Sequence, residues 1–225
     1  MKRCLEITKI SRAEAGALLD DYHYLSKQGN KFRSGENFGL FDSGQLIGCC
    51  VFTGFPVAEL FKGIWGIDDF RSFDQKGFWE LSRLVISPMV QFKQGMHSDC
   101  TASWFLSRCL RLMRNVGARA ILSYADSDHH RGTVYAACNF EYYGLTKLKY
   151  NIWIPSEDGV FLSEDKRQGR RETHWKQMTR GWRVHLENGG IKIPRGRKHR
   201  FLIRYDKEVR SWPMLWKTEK WSRDV

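Results

Sequence analysis

The chemistry-bearing residues of this chain crowd into residues 121–144. There Ser123-Tyr124-Ala125-Asp126 is followed by His129, His130 and Tyr135. A carboxylate, two imidazoles and a phenol at the end of one strand suit proton transfer or metal binding. The alternative is plainer: Asp126 caps the next helix and the histidines are solvated. Arg83 stands between apolar neighbours, Leu81 and Val85, where an unpaired cation is costly. It pairs with a carboxylate such as Glu80 or Asp126, or it grips the carboxylate or phosphate of a ligand. Two basic clusters, Lys166-Arg167 with Arg170-Arg171, and Arg195, Arg197, Lys198 and Arg200, are the best phosphate-binding candidates.

These residues need a scaffold, and the hydrophobic pattern supplies one. Residues 4–10 read as a strand and 12–27 as a helix, with Ser11 and Glu14 forming a capping box. Ala13, Ala15, Leu18, Leu19 and Tyr22 are spaced to share its apolar face. Runs 36–41 and 45–53 flank Asp42-Ser43-Gly44, a hairpin signal in which glycine supplies positive φ. Residues 54–76 carry no period and read as irregular. Residues 78–87 form a buried strand stopped by Pro88, and 91–97 a loop.

The clearest helix follows. Ala102, Phe105, Leu106, Cys109, Leu110 and Met113 share one face, while Arg108, Arg111 and Arg114 face elsewhere. Ser98 or Asp99 caps its start and Gly117 lies past its end. Then come a strand over 120–126, a short helix near 132–138, and strands at 141–146 and 150–154. The expected fold is α/β, a mixed central sheet flanked by helices, with the carboxyl ends of its strands as the place where ligands gather. The division predicted is a catalytic domain over 1–154 and a basic extension over 155–225 packed on it, with a strand at 200–205.

Composition narrows the function classes. The chain has 225 residues, 42% hydrophobic and 28% charged, enough for a core and unlike a disordered chain. No run of 18 apolar residues occurs and no apolar stretch follows the charged start, so neither a membrane span nor a secretory signal is expected. Six scattered cysteines without a CxxC pair read as buried thiols of a reducing cytosol. The net charge of +12 is uneven: residues 151–225 hold 18 basic and 10 acidic side chains, against 19 and 15 in residues 1–150. That surplus favours a polyanionic partner. Trp175, Trp182, Trp212, Trp216 and Trp221 are expected to pack the extension onto the domain rather than stack on bases.

Tyr135-Ala136-Ala137-Cys138-Asn139-Phe140 resembles the stretch after the fifth strand of Gcn5-related N-acyltransferase (GNAT) folds, and the element order agrees. In that fold the tyrosine often protonates a departing coenzyme A thiolate, a role the resemblance gives to Tyr135. A narrower resemblance spans most of residues 1–150. His23-Tyr24-Leu25, Glu80-Leu81-Ser82-Arg83-Leu84, Ser123-Tyr124-Ala125-Asp126 and His130-x-Gly132-Thr133-x-Tyr135 are similar in order to the bacteriophage Mom family. Asn139, Tyr142-x-Gly144 and Lys198-His199-Arg200-Phe201 continue it. Mom proteins convert adenine in phage DNA to N6-(carbamoylmethyl)adenine, which shields it from host restriction. The resemblance implies that activity, double-stranded DNA with a flipped adenine as partner, and the cytoplasm of the bacterial host cell as location.

An enzyme acting on adenine N6 must extrude the base and remove an amino proton. Tyr24, Tyr124 and Tyr135 are candidates for wall or phenol, and Asp126 for the proton acceptor, with His23 or His130 as alternative base. Ser123 is placed to orient a ligand. The new bond runs from N6 to a methylene carbon, so simple acyl transfer cannot make the product. An activated glycyl-type donor, rearranged afterwards, has the right atoms. Where GNAT members carry a phosphate-binding loop, this chain has Gln94-Gly95-Met96-His97-Ser98-Asp99. Gln94, Gly95 and Ser98, with Arg83, are the donor-binding candidates, but Asp99 would repel a phosphate, which argues against acetyl-coenzyme A. The resemblance also points to iron, for which His23, Tyr24, Asp126 and His130 are suitable ligand types. Two other readings stand beside this one: an ordinary GNAT acyltransferase acting on a protein or small amine, and a non-catalytic DNA-binding protein.

Overall fold

The computed structural model describes residues 5–23, 32–69, 72–88, 98–155, 175–178, 189 and 191–222. Strand β1 (Leu5–Lys9) leads into helix α1 (Arg12–Tyr22). The capping box forms as the sequence predicts: Glu14 N–H donates to Ser11 Oγ at 3.1 Å and Ser11 N–H to Glu14 Oε2 at 2.7 Å. The helix stops at Tyr22, short of the expected Lys27, because His23 adopts an extended backbone (φ −87°, ψ 133°). Ala15, Leu18 and Leu19 are buried, whereas Ala13 and Tyr22, expected on the same face, are exposed.

Strands β2 (Glu36–Asp42) and β3 (Gln45–Gly54) form the predicted hairpin. Both turn residues have positive φ, 53° at Ser43 and 84° at Gly44, matching the twist of the strands they join. The stretch expected to be irregular contains helix α2 (Glu59–Trp65), which buries Phe61, Ile64 and Trp65. Its single apolar stripe is too short to register as a period. Strand β4 (Phe78–Ile86) is followed by helix α3 (Ser98–Asn115), so Ser98 and Asp99 occupy its first turn. Phe105, Leu106, Cys109, Leu110 and Met113 are buried, and Arg108, Arg111 and Arg114 are exposed, as the spacing requires.

Strand β5 (Ala120–Asp126), helix α4 (Thr133–Ala137), strand β6 (Glu141–Leu145) and strand β7 (Lys149–Pro155) come next. Strands β8 (Trp175–Met178) and β9 (Ile191–Arg195) were not anticipated; β10 (Lys198–Arg204) and helix α5 (Lys207–Ser211) close the chain. A seven-stranded mixed sheet has the order β1-β2-β3-β4-β5-β10-β6. Its β4–β5 pair is parallel, while β1–β2, β2–β3 and β3–β4 are antiparallel. This is the expected α/β class, a mixed sheet flanked by helices.

The domain division needs correction. Strand β10 is not part of an extension laid on a finished domain; it sits inside the central sheet between β5 and β6. The chain forms two compact units, residues 1–125, 129–144 and 199–225 in one, and 126–128 with 145–198 in the other. The boundary at 154 fails because a strand contributes backbone hydrogen bonds to its neighbours whatever its distance along the chain.

In the first unit, one face of the sheet packs on α3 and α4 through Leu81, Ile121, Ala125, Phe105, Leu106 and Phe201. On the other face α1 covers Cys49, Val51 and Val85. Beside it α2 and the C-terminal segment cover Phe78, Leu122, Tyr143 and Leu202. Trp212 stacks on Phe78 at 5.8 Å and meets Trp65 edge-on at 5.5 Å, contacts that add about 0.5–1.5 kcal/mol each beyond burial. Trp216 packs on Tyr143, and Trp221 Nε1–H donates to the Arg131 carbonyl at 3.2 Å. These three tryptophans pack as expected; Trp182 lies outside the described residues and nothing is described of the Trp175 side chain. The second unit holds a three-stranded antiparallel sheet, β8-β7-β9. Cys49, Cys50, Cys109 and Cys138 are free, buried thiols, and burial raises Cys49 to about 12 and Cys138 to about 11. Among the described residues no helix is long and apolar enough to cross a membrane.

Candidate active site

The site begins with one extra residue in β4. Val51 pairs with Arg83, but the next residue of β3, Phe52, pairs with Leu81, so Ser82 bulges out of the ladder. Its hydroxyl donates to the Val51 carbonyl at 3.1 Å and fixes the bulge. The bulge reverses the alternation of β4. Trp79 and Leu81 face α3 before it, and Leu84 and Ile86 face α3 after it. Without Ser82, Leu84 and Ile86 would turn to the opposite face.

The bulge also ends the contact with β5. Parallel pairing runs from Phe78 and Ala120 to Leu81 and Ser123 and stops there. Ser123 is fully buried and its hydroxyl donates to the Leu81 carbonyl at 3.2 Å, tying the strands at the last point where they touch. That corrects the expectation for Ser123: its hydroxyl serves the sheet, and its burial keeps it from a ligand. Beyond this tie lies a cavity of about 160 Å³.

The cavity draws on both faces of the sheet. Ser82, Arg83, Leu84 and Ile86 come from β4 and Tyr124 from β5. Ala102 of α3 and Val134 and Tyr135 of α4 line its other side. His23, at the end of α1, and His130, before α4, complete it. Five of the residues singled out in the sequence therefore converge: His23, Arg83, Tyr124, His130 and Tyr135.

Their electrostatics follow from this placement. His23 is 8% exposed, and its N–H donates to Leu19 O at 3.0 Å. Burial first, then the charges of Arg83, His130 and His129, lower its imidazole to about 4, so it is neutral at neutral pH. Arg83 Nη1 donates to the Ser82 carbonyl at 2.6 Å. Among the described residues no carboxylate lies within ion-pair distance of Arg83, so neither Glu80 nor Asp126 is its partner. The Tyr124 phenol is pushed well up by burial, with Glu80 adding to the effect and Arg200 opposing it. It stays protonated.

Tyr135 is 6% exposed, its ring held between Phe140 at 5.8 Å and Phe201 at 5.2 Å, with His130 edge-on at 6.2 Å. Gly132 starts α4 with φ 80°, and a Cβ there would collide with the Phe201 ring. Only glycine fits this turn.

Other expected site residues fall elsewhere. Asp126 ends β5 and does not line the cavity; its Oδ1 accepts the Asp128 N–H at 3.1 Å. A carboxylate two residues before a backbone N–H closes such a turn locally. Among the described residues no three His, Cys, Asp or Glu groups cluster as metal ligands. Of the four ligands expected for iron, His23 and His130 line the cavity and Tyr24 lies outside the described residues. Tyr24, Gln94 and Gly95 lie outside the described residues, and nothing is described of the Ser98 side chain.

Of the basic candidates, Arg197 is exposed and its Nε donates to Thr146 O at 2.7 Å. Lys198 is half-buried, its N–H donating to Thr146 Oγ1 at 3.0 Å. Arg200 differs from expectation: it is half-buried, with its guanidinium 4.5 Å above the Trp216 ring. Lys166, Arg167, Arg170 and Arg171 lie outside the described residues, and nothing is described of the Arg195 side chain. Sequence reasoning missed the apolar wall of Leu84, Ile86, Ala102 and Val134, because the bulge that aims two of them has no signature in residue types.

The model of the Mom protein family matches residues 4–220, so the chain belongs to that family. No curated protein sequence matches it. Similar solved structures include a Bacillus subtilis acetyltransferase in complex with CoA, 11% identical, covering 91% of this chain and 99% of that one with a TM-score of 0.46. The IAA acetyltransferase of Bacillus cereus ATCC 14579 is 11% identical over 90% of this chain and 100% of that one, TM-score 0.49. The ribosomal-protein-S18-alanine N-acetyltransferase of Escherichia coli is 9% identical over 90% and 95%, TM-score 0.48.

Proposed function

We propose that this Mom-family protein modifies adenine at N6 in double-stranded DNA, producing N6-(carbamoylmethyl)adenine and so protecting phage DNA from host restriction. Membership of the family supports DNA modification. The observation that carries the reading is the convergence of His23, Arg83, Tyr124, His130 and Tyr135 on one cavity where β4 and β5 part. Duplex DNA presents N6 inside the stack, so the base must leave the helix, at a cost of about a few kcal/mol. A slot with phenolic and apolar walls offsets that cost by covering the purine again.

Each side chain has a task in this reading. The His23 imidazole, neutral at neutral pH and lining the cavity, is the base that takes the amino proton as N6 attacks. Tyr135 returns a proton to the leaving group of the donor. Arg83, with no carboxylate partner among the described residues, holds the donor's carboxylate or phosphate through a charge-assisted contact. Tyr124, held protonated, donates to the base edge. The donor is an activated glycyl-type group, and N6 displaces the leaving group from its carbonyl. An isomerisation then breaks the N6–carbonyl and methylene–amine bonds and forms N6–methylene and carbonyl–amine bonds, with no atom gained or lost.

The test is to express the protein in bacteria and weigh the nucleosides of plasmid DNA. Adenine bearing the carbamoylmethyl group is expected, and only unmodified adenine rejects the reading. An acetylated protein or small amine in place of modified DNA would favour an ordinary acyltransferase. Isotope-labelled glycine is expected to enter the modified base; its absence there rejects the glycyl donor alone.

A further inference from the structure

The three-stranded sheet of the second unit has an unusual surface. Residues 145–155, 175–178 and 191–198, its strands and adjoining links, contain Lys147, Lys149, Lys176, Lys192, Arg195, Arg197 and Lys198 and no acidic residue. Lys147, Lys149, Lys192 and Arg197 are exposed. Large apolar side chains are exposed beside them: Leu148 at 49%, Tyr150 at 45% and Ile191 at 39%. Cations mixed with exposed aromatic and aliphatic groups fit neither a protein core nor a merely solvated face.

Register explains how the surface is assembled. Tyr150 pairs with Pro194, and Ile152 with Lys192, so Tyr150 and Lys192 emerge on the same face of β7 and β9. The Lys192 ammonium stands 4.3 Å from the Tyr150 ring centroid. A cation–π contact holds that charge at a defined place instead of leaving it on a flexible stem.

We infer that the face of this sheet bearing Tyr150 docks on DNA, with Tyr150 presenting Lys192, and with the exposed Lys147 and Arg197 of the adjoining links, to the phosphates of duplex DNA. Lys149, paired with Arg195, lies on the opposite face. Charge complementarity selects the occupant: a polyanion meets three exposed cations, Lys147, Lys192 and Arg197, and no carboxylate on these strands and links, with Asp128 beside Gly196 the one carboxylate described against them. The inference rests on DNA being the substrate, and it supplies the sequence-independent part of binding, separate from the chemistry at the cavity.

The experiment measures anisotropy of a labelled duplex with the full-length protein across a salt series. For K147E/K192E, affinity at about 0.1 M salt is expected to fall at least about tenfold, and the slope of log K against log salt to shrink by about 1.8. The control K62E/K76E carries the same charge change on exposed lysines of the first unit and is expected to bind as wild type. Y150F keeps the cation–π contact and is expected to bind normally, while Y150A weakens binding several-fold. Equal loss in the control, unchanged affinity in K147E/K192E, or preference for phosphatidylserine vesicles over DNA overturns the inference. Sheet-dependent DNA binding without modified adenine upholds the docking face and rejects the proposed reaction. Modified adenine with unchanged affinity in K147E/K192E does the reverse.

Discussion

His23 and Tyr135 set the chemistry at the scale of single residues, and both are testable there. Burial keeps the His23 imidazole neutral down to about 4, against 6.5 in the unfolded chain. Between those values the unfolded state binds more protons, so this contribution to stability is complete above 6.5 and is lost as pH falls toward 4. Urea midpoints measured from pH 7 to pH 4.5 are expected to fall in wild type and to fall less in H23Q. A parallel decline in both proteins would remove His23 as the cause. Y135F keeps the ring packed against Phe140 and Phe201 but loses the phenolic proton. DNA modification is expected to drop by roughly 10²–10⁴-fold with an unchanged melting temperature. Arg83, Tyr124, His130 and Tyr135 could be picked out by residue type because proton transfer and anion binding use few side chains, whereas His23 was marked by the resemblance to the Mom family. Asp126 shows how open such a choice is: a carboxylate at a strand end is also suited to closing a turn.

At the scale of elements, β4 decides where the cavity lies. Its bulge at Ser82 turns Leu84 and Ile86 toward α3 and coincides with the end of β4–β5 pairing. S82A deletes the hydroxyl donated to Val51 O, and unfolding free energy is expected to fall by about 1 kcal/mol. The denaturant slope should stay the same, since the fold is retained. Unchanged stability would mean that the backbone holds the bulge without that bond. The helical and strand periods of α3, β2, β3 and β5 were plain in the sequence because each buries one face or both against the core. The bulge was not plain, since Glu80-Leu81-Ser82-Arg83-Leu84 reads as an unbroken strand. The short α2 was hidden too, its stripe of Phe61, Ile64 and Trp65 spanning barely more than a turn.

At the scale of the molecule, the last strand of the chain completes the sheet that the first half begins. Strand β10 lies between β5 and β6, and its Phe201 and Leu202 are fully buried on opposite faces. Arg119, near the start of β5, bonds Asp206 at 3.2 Å and Glu208 at 2.9 Å, and its guanidinium lies over Phe78 and Trp212. A fragment ending at residue 154 would leave β5 and β6 without their shared neighbour and expose two apolar faces. It is expected to be largely unfolded or aggregated, read by far-ultraviolet circular dichroism and sedimentation. A soluble fragment with cooperative thermal unfolding would restore the division at 154.

The sequence alone determined the elements with a strong period, the cap of α1, the α/β class, the basic balance and half of the side chains that meet at the cavity. These follow from local rules: which residues bury a face, which turn the chain, which carry charge. Tertiary structure decided where the parallel strands part, which carboxylate turns aside, that β10 belongs to the central sheet, and that Tyr150 and Lys192 share a face. Those outcomes depend on register and on pairing between distant segments, and neither is written in residue types near one another in the chain.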